Sequence, residues 1–160
     1  NGIRALNLDE GDELVSVRET DGEQKILIAT HDGMAVVFDE TDVRAMGRTA
    51  VGVRGIKLRE GDYVVGAARA QEGKEVLTIT EKGKNDMGTE KTGVIVGVNV
   101  VYGSEDLLLV TRAGILIRTP VEAIRTTGRA TQGVIVMRFK EEGDSVISMA
   151  LTEHEEDDEA

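Results

Sequence analysis

The chain repeats itself, and this repeat restricts the possible folds more than any other feature of the sequence. The stretch GIRALNLDEGDELVSV from Gly2 aligns without a gap on GVRGIKLREGDYVVGA from Gly52, an offset of 50 residues. The same offset places ILIATHDG at 26–33 on VLTITEKG at 76–83. Because several glycines coincide in frame, one supersecondary unit is expected to recur along the chain.

A second register relates the first and third repeats. With an offset of 81, residues 26–60 align with residues 107–141 without a gap. This register places GRTAVGV at 47–53 on GRATQGV at 128–134, so a Gly-Arg pair and a Gly-Val pair recur together. We expect these two loops to occupy equivalent positions in different repeats.

The middle repeat is short. Only 31 residues separate Gly83 from Gly114, so about 19 residues of the 50-residue period are lacking after TITEKG. Either the repeat is truly trimmed of its outer strand and Gly-Arg loop, or a disordered loop near Lys84 is missing from the sequence. We favour the missing loop, because a trimmed repeat would leave strand edges unpaired.

Short aliphatic runs separated by glycine turns predict that the repeats consist of β-strands. Such runs include KILIAT, MAVVF, EVLTIT, DLLLVT and GILIRT. The turns THDG, TEKG and TRAG each end at a glycine that can adopt a positive φ, as hairpin turns require. About four strands in 50 residues is the size of one propeller-like blade. We therefore predict an all-β fold with blade units near residues 2–25, 26–75, 76–106 and 107–152.

The composition indicates a soluble cytoplasmic domain with an aliphatic core. The 160 residues include no cysteine, and no apolar run approaches the roughly 20 residues of a membrane span. No signal peptide is recognised at the start of the sequence. Aromatic residues make up only 2% of the chain, which argues against the base-stacking platforms that bind single-stranded nucleic acid.

Charges are segregated along the chain, although its net charge is −11. Residues 43–59 contain five cations and no carboxylate, and residues 107–140 contain six cations against the single Glu122. The last eight residues, 153–160, contain six carboxylates and neither Lys nor Arg. We expect this acidic tail to be disordered unless a basic surface captures it. Its carboxylates either compete with DNA phosphate for the basic surface of the domain or form a solvated end without a partner.

The basic residues are candidate contacts to a DNA backbone. The arginine guanidinium matches phosphate oxygens, and adjacent glycines let backbone amides approach. Phosphate contacts carry no sequence information, which suits a surface that accepts any DNA. The candidate residues are Arg44, Arg48, Lys57, Arg59, Lys82, Lys84, Arg112, Arg118, Arg125, Arg129, Arg138 and Lys140.

Structural roles stay open for these residues. Arg48 and its repeat mate Arg129 either contact phosphate or bridge neighbouring repeats through carbonyls or a carboxylate. Arg138 and Lys140 alternate with apolar residues, as solvent-facing strand positions do, so exposure explains them as well as DNA contact does. The same two interpretations apply to the IKLR stretch of the first repeat.

No catalytic residue and no metal site is predicted. The EGD triplets at 10–12, 60–62 and 142–144 lack the carboxylate density of a calcium loop, and we interpret them as solvated turns between repeats. His31 has no histidine at the equivalent positions of the other repeats. The recurring threonines at the ends of predicted strands have no adjacent base, so they are not nucleophiles. No glycine-rich nucleotide loop is found, and no cofactor is expected in this chain.

Four long stretches carry a resemblance to a known family. NGIRALNLDEGDELVSV, GRTAVGVRGIKLREGD, GILIRTPVEAI and GRATQGVIVMR closely resemble the C-terminal domain of DNA gyrase A. The resemblance covers the chain except for the shortened stretch near residues 84–90, and the paralogous C-terminal domain of topoisomerase IV looks less similar. It implies a β-pinwheel, a propeller-like disc whose neighbouring blades exchange strands. Residues 1–152 would form a partial disc of three to four blades, followed by the acidic tail.

The resemblance also implies a function. In that family, DNA wraps around a basic rim without sequence specificity, and wrapping supports ATP-dependent negative supercoiling by the holoenzyme. The implied partners are double-stranded DNA, the N-terminal core of gyrase A and the gyrase B protein, with no membrane. ATP and Mg²⁺ are used elsewhere in the holoenzyme.

Two departures limit what the resemblance transfers to this chain. The family's basic QRRGGKG-like box is absent, and the catalytic tyrosine and its metal-binding partners belong to other regions of the holoenzyme. The chain alone is therefore expected to have no enzymatic activity. The alternative function is a propeller-like protein-interaction module with an incidental basic edge.

Overall fold

The computed structural model describes residues 2–86, 88, 91–128 and 133–154. Within these residues the regular structure consists of β-strands and two 3₁₀ turns, Glu40–Asp42 and Val121–Ala123, so the all-β prediction is confirmed. None of the described segments forms a helix with the length and apolar character needed to cross a membrane. The strands are β1 (Lys25–Thr30), β2 (Ala35–Asp39), β3 (Val64–Ala70), β4 (Glu75–Thr80), β5 (Lys84–Asn85), β6 (Ile95–Val101), β7 (Glu105–Thr111), β8 (Leu116–Pro120), β9 (Val134–Ile135) and β10 (Val146–Glu153).

The sheets are small and antiparallel. The first and third repeats each form a three-stranded sheet, in the orders β2-β1-β3 and β8-β7-β10. The middle repeat contributes the pair β4-β6, and a short pair joins β5 to β9. In the first repeat, β1 and β2 form a hairpin, and after a long connection β3 pairs with the other edge of β1. In the third repeat, β10 pairs with the free edge of β7 in the same way. The division of the chain into blade units stays a prediction.

The first and third repeats share their local structure at the predicted offset of 81. β2 corresponds to β8 residue for residue, and the two 3₁₀ turns also correspond. Each 3₁₀ turn is closed by an equivalent backbone hydrogen bond, from Val43 to Glu40 at 3.0 Å and from Ile124 to Val121 at 2.9 Å. The sequence repeat is therefore a structural repeat.

A buried threonine stabilises each hairpin turn. Thr30, Thr80 and Thr111 end β1, β4 and β7 and are at most 1% exposed. In each case the hydroxyl oxygen accepts the amide of the residue four positions later, at 3.1–3.3 Å. The recurring threonines are thus strand ends, as predicted, and their hydroxyl groups satisfy backbone donors of the turn.

The prediction that the EGD triplets are solvated turns was wrong for the aspartate of the second triplet. Asp62 is only 8% exposed, and its Oδ1 accepts the amides of Asp32 at 3.0 Å and Tyr63 at 2.9 Å. Asp144 takes the equivalent position in the third repeat and accepts two amides at 3.0 and 2.8 Å. Asp62 and Asp144 each stabilise the hairpin turn of their own repeat, because the backbone amides of that turn have few other acceptors.

The core is aliphatic, as the composition indicates. Its larger cluster joins the middle and third repeats, and Ile79, Leu107 and Leu109 are completely buried within it. Met137, from the segment that follows β9, also packs in this cluster. Backbone contacts join successive repeats as well, since Ile95 donates its amide to the carbonyl of His31 at 2.9 Å.

Strand exchange occurs between the third and middle repeats. β9 pairs with β5, with Ile135 opposite Lys84. The carbonyl of Gly83 then accepts the amides of Val136 at 2.9 Å and Met137 at 3.0 Å. The third repeat therefore lends a segment to its neighbour, as the resemblance implies.

Two segments that the repeat predicts as strands are irregular. Residues 53–54 correspond to β9, and residues 14–20 correspond to β3, yet neither segment forms a strand. Both would pair with the strands of a repeat that precedes β1, and the described residues before β1 provide no such strand. The sheet of the first repeat also lacks the expected fourth strand, because no exchanged segment of the described chain pairs with β2.

The shortened middle repeat is partly closed by its neighbour. The additional loop was predicted in the stretch 84–90. Residues 87, 89 and 90 of this stretch lie outside the described residues. We expected a trimmed repeat to leave a strand edge unpaired, but at β5 this edge is paired with β9. Beside it, a groove of about 520 Å³ lies between β2, β4 and residues 124–128.

Candidate nucleic-acid interface

The arginines of the first repeat are presented by the loop that follows the first 3₁₀ turn. Arg44 and Arg48 are both exposed. The loop is held by a backbone hydrogen bond from Ala50 to Gly47 at 2.9 Å, and the Asn7 side chain donates to the carbonyl of Thr49 at 2.9 Å. Within the described part of the chain, neither arginine side chain has a hydrogen bond or an ion pair. Both are free to meet a ligand anion.

The equivalent loop of the third repeat is tied to the middle repeat. Arg125 corresponds to Arg44 and is likewise exposed after a 3₁₀ turn. Its neighbour Thr126 donates its hydroxyl to the carboxylate of Glu75, the first residue of β4, at 2.9 Å. Arg129, the predicted mate of Arg48, lies outside the described residues. Thr126 therefore bridges the third and middle repeats three residues before Arg129, and a bridge by Arg129 itself stays a prediction.

Arg118 is engaged in a structural ion pair. Its Nε donates to Asp106 Oδ2 at 2.6 Å, and its Nη2 donates to the carbonyl of Glu153 at 3.1 Å. The Asp106 side chain is 5% exposed and the Arg118 side chain 39% exposed. DNA contact by Arg118 stays a prediction, but part of its guanidinium is already occupied. No sequence signal points to this pair, because Asp106 lies on β7 and Arg118 on β8.

The same carboxylate anchors the beginning of the acidic tail. His154 Nδ1 lies 2.7 Å from Asp106 Oδ1. The hydrogen bond from His154 and then that from Arg118 hold the pKa of the Asp106 carboxyl below its ordinary value, although burial acts in the opposite direction. The hydrogen bond to Asp106, followed by the carboxylate's charge, raises the pKa of His154 above 6.5. The remaining tail residues, 155–160, lie outside the described residues.

This pair predicts a pH-dependent stability. A raised pKa means that the folded chain binds the His154 proton more tightly than the unfolded chain does, so the pair stabilises the fold fully below about pH 6.5. The stabilisation is lost as the pH rises through the raised pKa, and the nearby charges of Glu122 and Arg118 modify it in opposite senses. The melting temperature of the natural chain should therefore fall between pH 5.5 and 8.5 by more than that of a His154→Gln variant. Identical pH dependence of the two chains would contradict a folded-state proton on His154.

Strand exchange moves two basic residues to the middle repeat. Arg138 and Lys140 follow β9 and are exposed, while Met137 before them is buried against Gly83. The predicted alternation of exposed cations with apolar residues is thus confirmed in this segment. The sequence assigns both cations to the third repeat. The pairing of β9 with β5 and the hydrogen bonds of Val136 and Met137 to Gly83 nevertheless bring the segment that leads to these cations beside the candidate residues Lys82 and Lys84.

Lys57, Arg59, Lys82 and Arg112 also lie at exposed positions, whereas Lys84 is half-buried. Lys57 and Arg59 lie on the first-repeat segment that corresponds to the one carrying Arg138 and Lys140, and both are exposed. Arg112 lies in the hairpin turn after β7, where its amide donates to the carbonyl of Ser145 at 2.9 Å. The hydrogen bond from the Thr111 hydroxyl, and to a smaller extent the charge of Arg112, lower the pKa of Asp144. The exposed cations are therefore distributed over all three repeats rather than collected in one loop.

The sequence matches a family model described as the DNA gyrase C-terminal domain, beta-propeller. The match covers residues 1–21, 24–71 and 105–153. The unmatched internal stretch includes β4, β5 and β6, which form the shortened middle repeat. The family's pattern is thus recognised on both sides of the repeat that departs from it.

Curated relatives are DNA gyrase A proteins. That of Staphylococcus epidermidis is 41% identical over 179 aligned positions, which cover 98% of this chain and 20% of that protein. That of Staphylococcus aureus is 40% identical over 181 positions, which cover 99% of this chain and 20% of that protein. The chain spans about a fifth of the length of these relatives. Because 98% of the chain is about 157 residues, about 22 of the 179 positions have no counterpart here, a number close to the roughly 19 residues by which the middle repeat is short.

Solved structures share the fold. The crystal structure of the C-terminal domain of DNA topoisomerase IV superposes with a TM-score of 0.85 at 27% identity, over 93% of this chain and 53% of that one. The DNA gyrase A C-terminal domain superposes with a TM-score of 0.80 at 24% identity, over 94% of this chain and 58% of that one. The family match over most of its residues shows that the chain belongs to the family of DNA gyrase C-terminal domains.

Proposed function

We propose that the chain binds and wraps duplex DNA without sequence specificity, as the non-catalytic C-terminal part of a DNA gyrase A protein. The observation that supports this most strongly is the recurrence of exposed arginines at one structural position. Arg44 and Arg125 both follow a 3₁₀ turn in repeats that are 81 residues apart. A surface that repeats its cations in this way suits a polymer with regularly spaced phosphates.

The cations of the exchanged segment extend this surface. The middle repeat lacks its own Gly-Arg loop, but it acquires Arg138 and Lys140 from the third repeat through β9. Successive repeats can thus contribute phosphate contacts in turn, although one of them is short. Such contacts fix the position of a duplex without reading its bases, in the manner of proteins that bend DNA by backbone contact and charge.

The complete enzyme supplies the remaining parts of the proposed activity. DNA wrapped by this domain would be presented to the N-terminal core of gyrase A, and the gyrase B protein would couple strand passage to ATP hydrolysis and so introduce negative supercoils. Mg²⁺ and ATP would bind in those other parts. We place this activity in the cytoplasm, where the chromosome of a bacterium lies.

An apolar groove favours a second candidate function, a protein-interaction module. The groove beside the short middle repeat is lined by Val36, Val37 and Val76 among other apolar residues, and its volume of about 520 Å³ lies in the range of small-ligand and peptide sites. A partner bound there would be held by apolar burial, whose affinity depends little on salt. DNA bound by phosphate contacts would be released steeply as salt increases.

A topological assay tests wrapping itself. Relaxed closed circular DNA is incubated with the 160-residue chain, treated with a nicking-closing topoisomerase and then deproteinised. Wrapping with a fixed hand should leave a linking-number change of one sign, whose size increases with the amount of protein bound. Saturating binding without any change in linking number would overturn wrapping, and the absence of binding would overturn the DNA function altogether.

A further inference from the structure

The hairpin turn after β1 brings three metal-binding side chains together. His31 and Asp32 lie in the turn, and Asp62 packs against it from the segment before β3. One ligand atom from each of the three residues lies within 4.8 Å of the others. His31 Nδ1 and Asp32 Oδ1 are 3.4 Å apart, which is about the separation of two ligands on one tetrahedral metal ion with bonds of about 2.1 Å.

The buried carboxylate of Asp62 has an unsatisfied oxygen. Its Oδ1 accepts two backbone amides, whereas its buried Oδ2 has no partner among the described residues that meets both the distance and the angle of a hydrogen bond, although the Thr30 hydroxyl lies beside the carboxylate. A buried carboxylate oxygen without a well-aligned donor is unfavourable unless a cation approaches it.

Comparison with the third repeat shows that capping the turn does not require the cluster of His31, Asp32 and Asp62. Asp144 caps the turn after β7 in the same way, but there the equivalents of His31 and Asp32 are Arg112 and Ala113. Turn capping thus needs neither a histidine nor a second carboxylate. Turn capping therefore does not explain why His31 and Asp32 lie close to Asp62.

We propose that His31, Asp32 and Asp62 bind a divalent transition-metal ion of the zinc type, with water completing its coordination. One imidazole nitrogen and two carboxylate oxygens suit Zn²⁺, whereas Ca²⁺ and Mg²⁺ prefer ligand sets made only of oxygen. Solvent reaches the site, since the side chains of His31 and Asp32 are 24% and 38% exposed. The imidazole stacks on the ring of Tyr63 with centroids 4.5 Å apart, which restricts its orientation.

Such an ion would join two separate segments of the first repeat. The turn after β1 and the residues before β3 are 30 positions apart, and the His31 carbonyl also accepts the amide of Ile95 in the middle repeat. An ion that binds only the folded chain stabilises it in proportion to the logarithm of its concentration. The site would therefore stiffen the junction between the first and middle repeats, independently of DNA binding.

The test is titration of the chelator-treated 160-residue chain with Zn²⁺ by calorimetry, and with Co²⁺ by visible absorption. The His31→Gln and Asp32→Asn variants change partly solvent-exposed side chains and should fold. Each should weaken Zn²⁺ binding tenfold or more, as loss of a ligand requires, and should reduce the tetrahedral Co²⁺ bands. Asp62→Asn should do the same, whereas its matched control Asp144→Asn, which weakens the equivalent cap, should leave metal affinity unchanged.

A second control addresses the acidic tail, which also contains a histidine among carboxylates. His154→Gln should leave the Zn²⁺ affinity and the Co²⁺ spectrum unchanged. If His154→Gln abolishes binding while His31→Gln does not, the ion belongs to the tail and the proposal is overturned. Binding that is equally weak in the natural chain and in His31→Gln would overturn it as well.

Discussion

Neutralising three exposed cations of the third repeat, with Arg125→Gln, Arg138→Gln and Lys140→Gln combined, should weaken binding to linear duplex DNA about 10²- to 10³-fold near 0.1 M salt. Each side chain is exposed, and each phosphate contact releases about one counterion from the duplex, so that each substitution removes one such release. The log–log salt slope should become shallower by about 3 at the same time. Affinity measured by fluorescence anisotropy on two duplexes of unrelated sequence tests both statements.

A matched variant distinguishes phosphate contact from the loss of net charge. Lys25, Arg69 and Lys74 are also exposed but lie outside the candidate set, and Lys74 stacks on the ring of Tyr102. Their combined change to Gln alters the net charge equally and should change DNA affinity far less. Arg118 is left unchanged in both variants, because its ion pair with Asp106 would mix stability with binding. Equal losses in the two variants, or a loss confined to one DNA sequence, would argue against a rim of phosphate contacts.

Gly83→Ala should lower the free energy of unfolding by about 2–5 kcal/mol, a large share of the stability of a small domain. Gly83 has a φ of +69°, a conformation that costs a residue with a Cβ about 1–2 kcal/mol. A Cβ at this position would also lie 2.9 Å from the carbonyl oxygen of Met137, and crowding of this kind adds about 1–3 kcal/mol. Chemical denaturation monitored by circular dichroism measures the change.

The same glycine in the third repeat provides the control. Gly114 occupies the equivalent turn position with a φ of +84°, but among the described residues no atom beyond its two chain neighbours lies within 4 Å of the place that a Cβ would take there. Gly114→Ala should therefore cost only the conformational term, about 1–2 kcal/mol. Since Gly83→Ala displaces the segment that carries Arg138 and Lys140, it should also weaken DNA binding, whereas Gly114→Ala should not. Equal destabilisation by the two changes would mean that the exchanged segment does not depend on Gly83.

Much of the fold follows from the sequence, because each repeat carries its local rules with it. The threonine that ends a strand, the glycine with positive φ three residues later and the alternating aliphatic residues recur in frame, so strand positions could be assigned by comparison. The offset of 81 predicted even the correspondence of β2 with β8. Local sequence determines these features, since they depend on turn chemistry within a few residues.

The features that sequence reasoning missed depend on contacts between distant residues. Asp62 is a turn residue of EGD by its sequence, but its carboxylate is buried against a hairpin 30 positions earlier. Arg118 has no charged neighbour in the sequence, but Asp106 on the adjacent strand accepts a hydrogen bond from its Nε. The position of Arg138 changes from one repeat to the next through the pairing of β9 with β5. Pairing partners across sheets decide these roles, and a single sequence does not specify them.

The most direct test of the DNA function is the salt dependence of binding to duplex DNA by the 160-residue chain. If about six phosphates are contacted, the logarithm of the association constant should fall with the logarithm of the salt concentration with a slope of about −5. The slope should be the same for two duplexes of unrelated sequence, because phosphate contacts do not distinguish bases. A slope near zero, or binding to one of the two sequences only, would contradict a DNA-wrapping role for this chain.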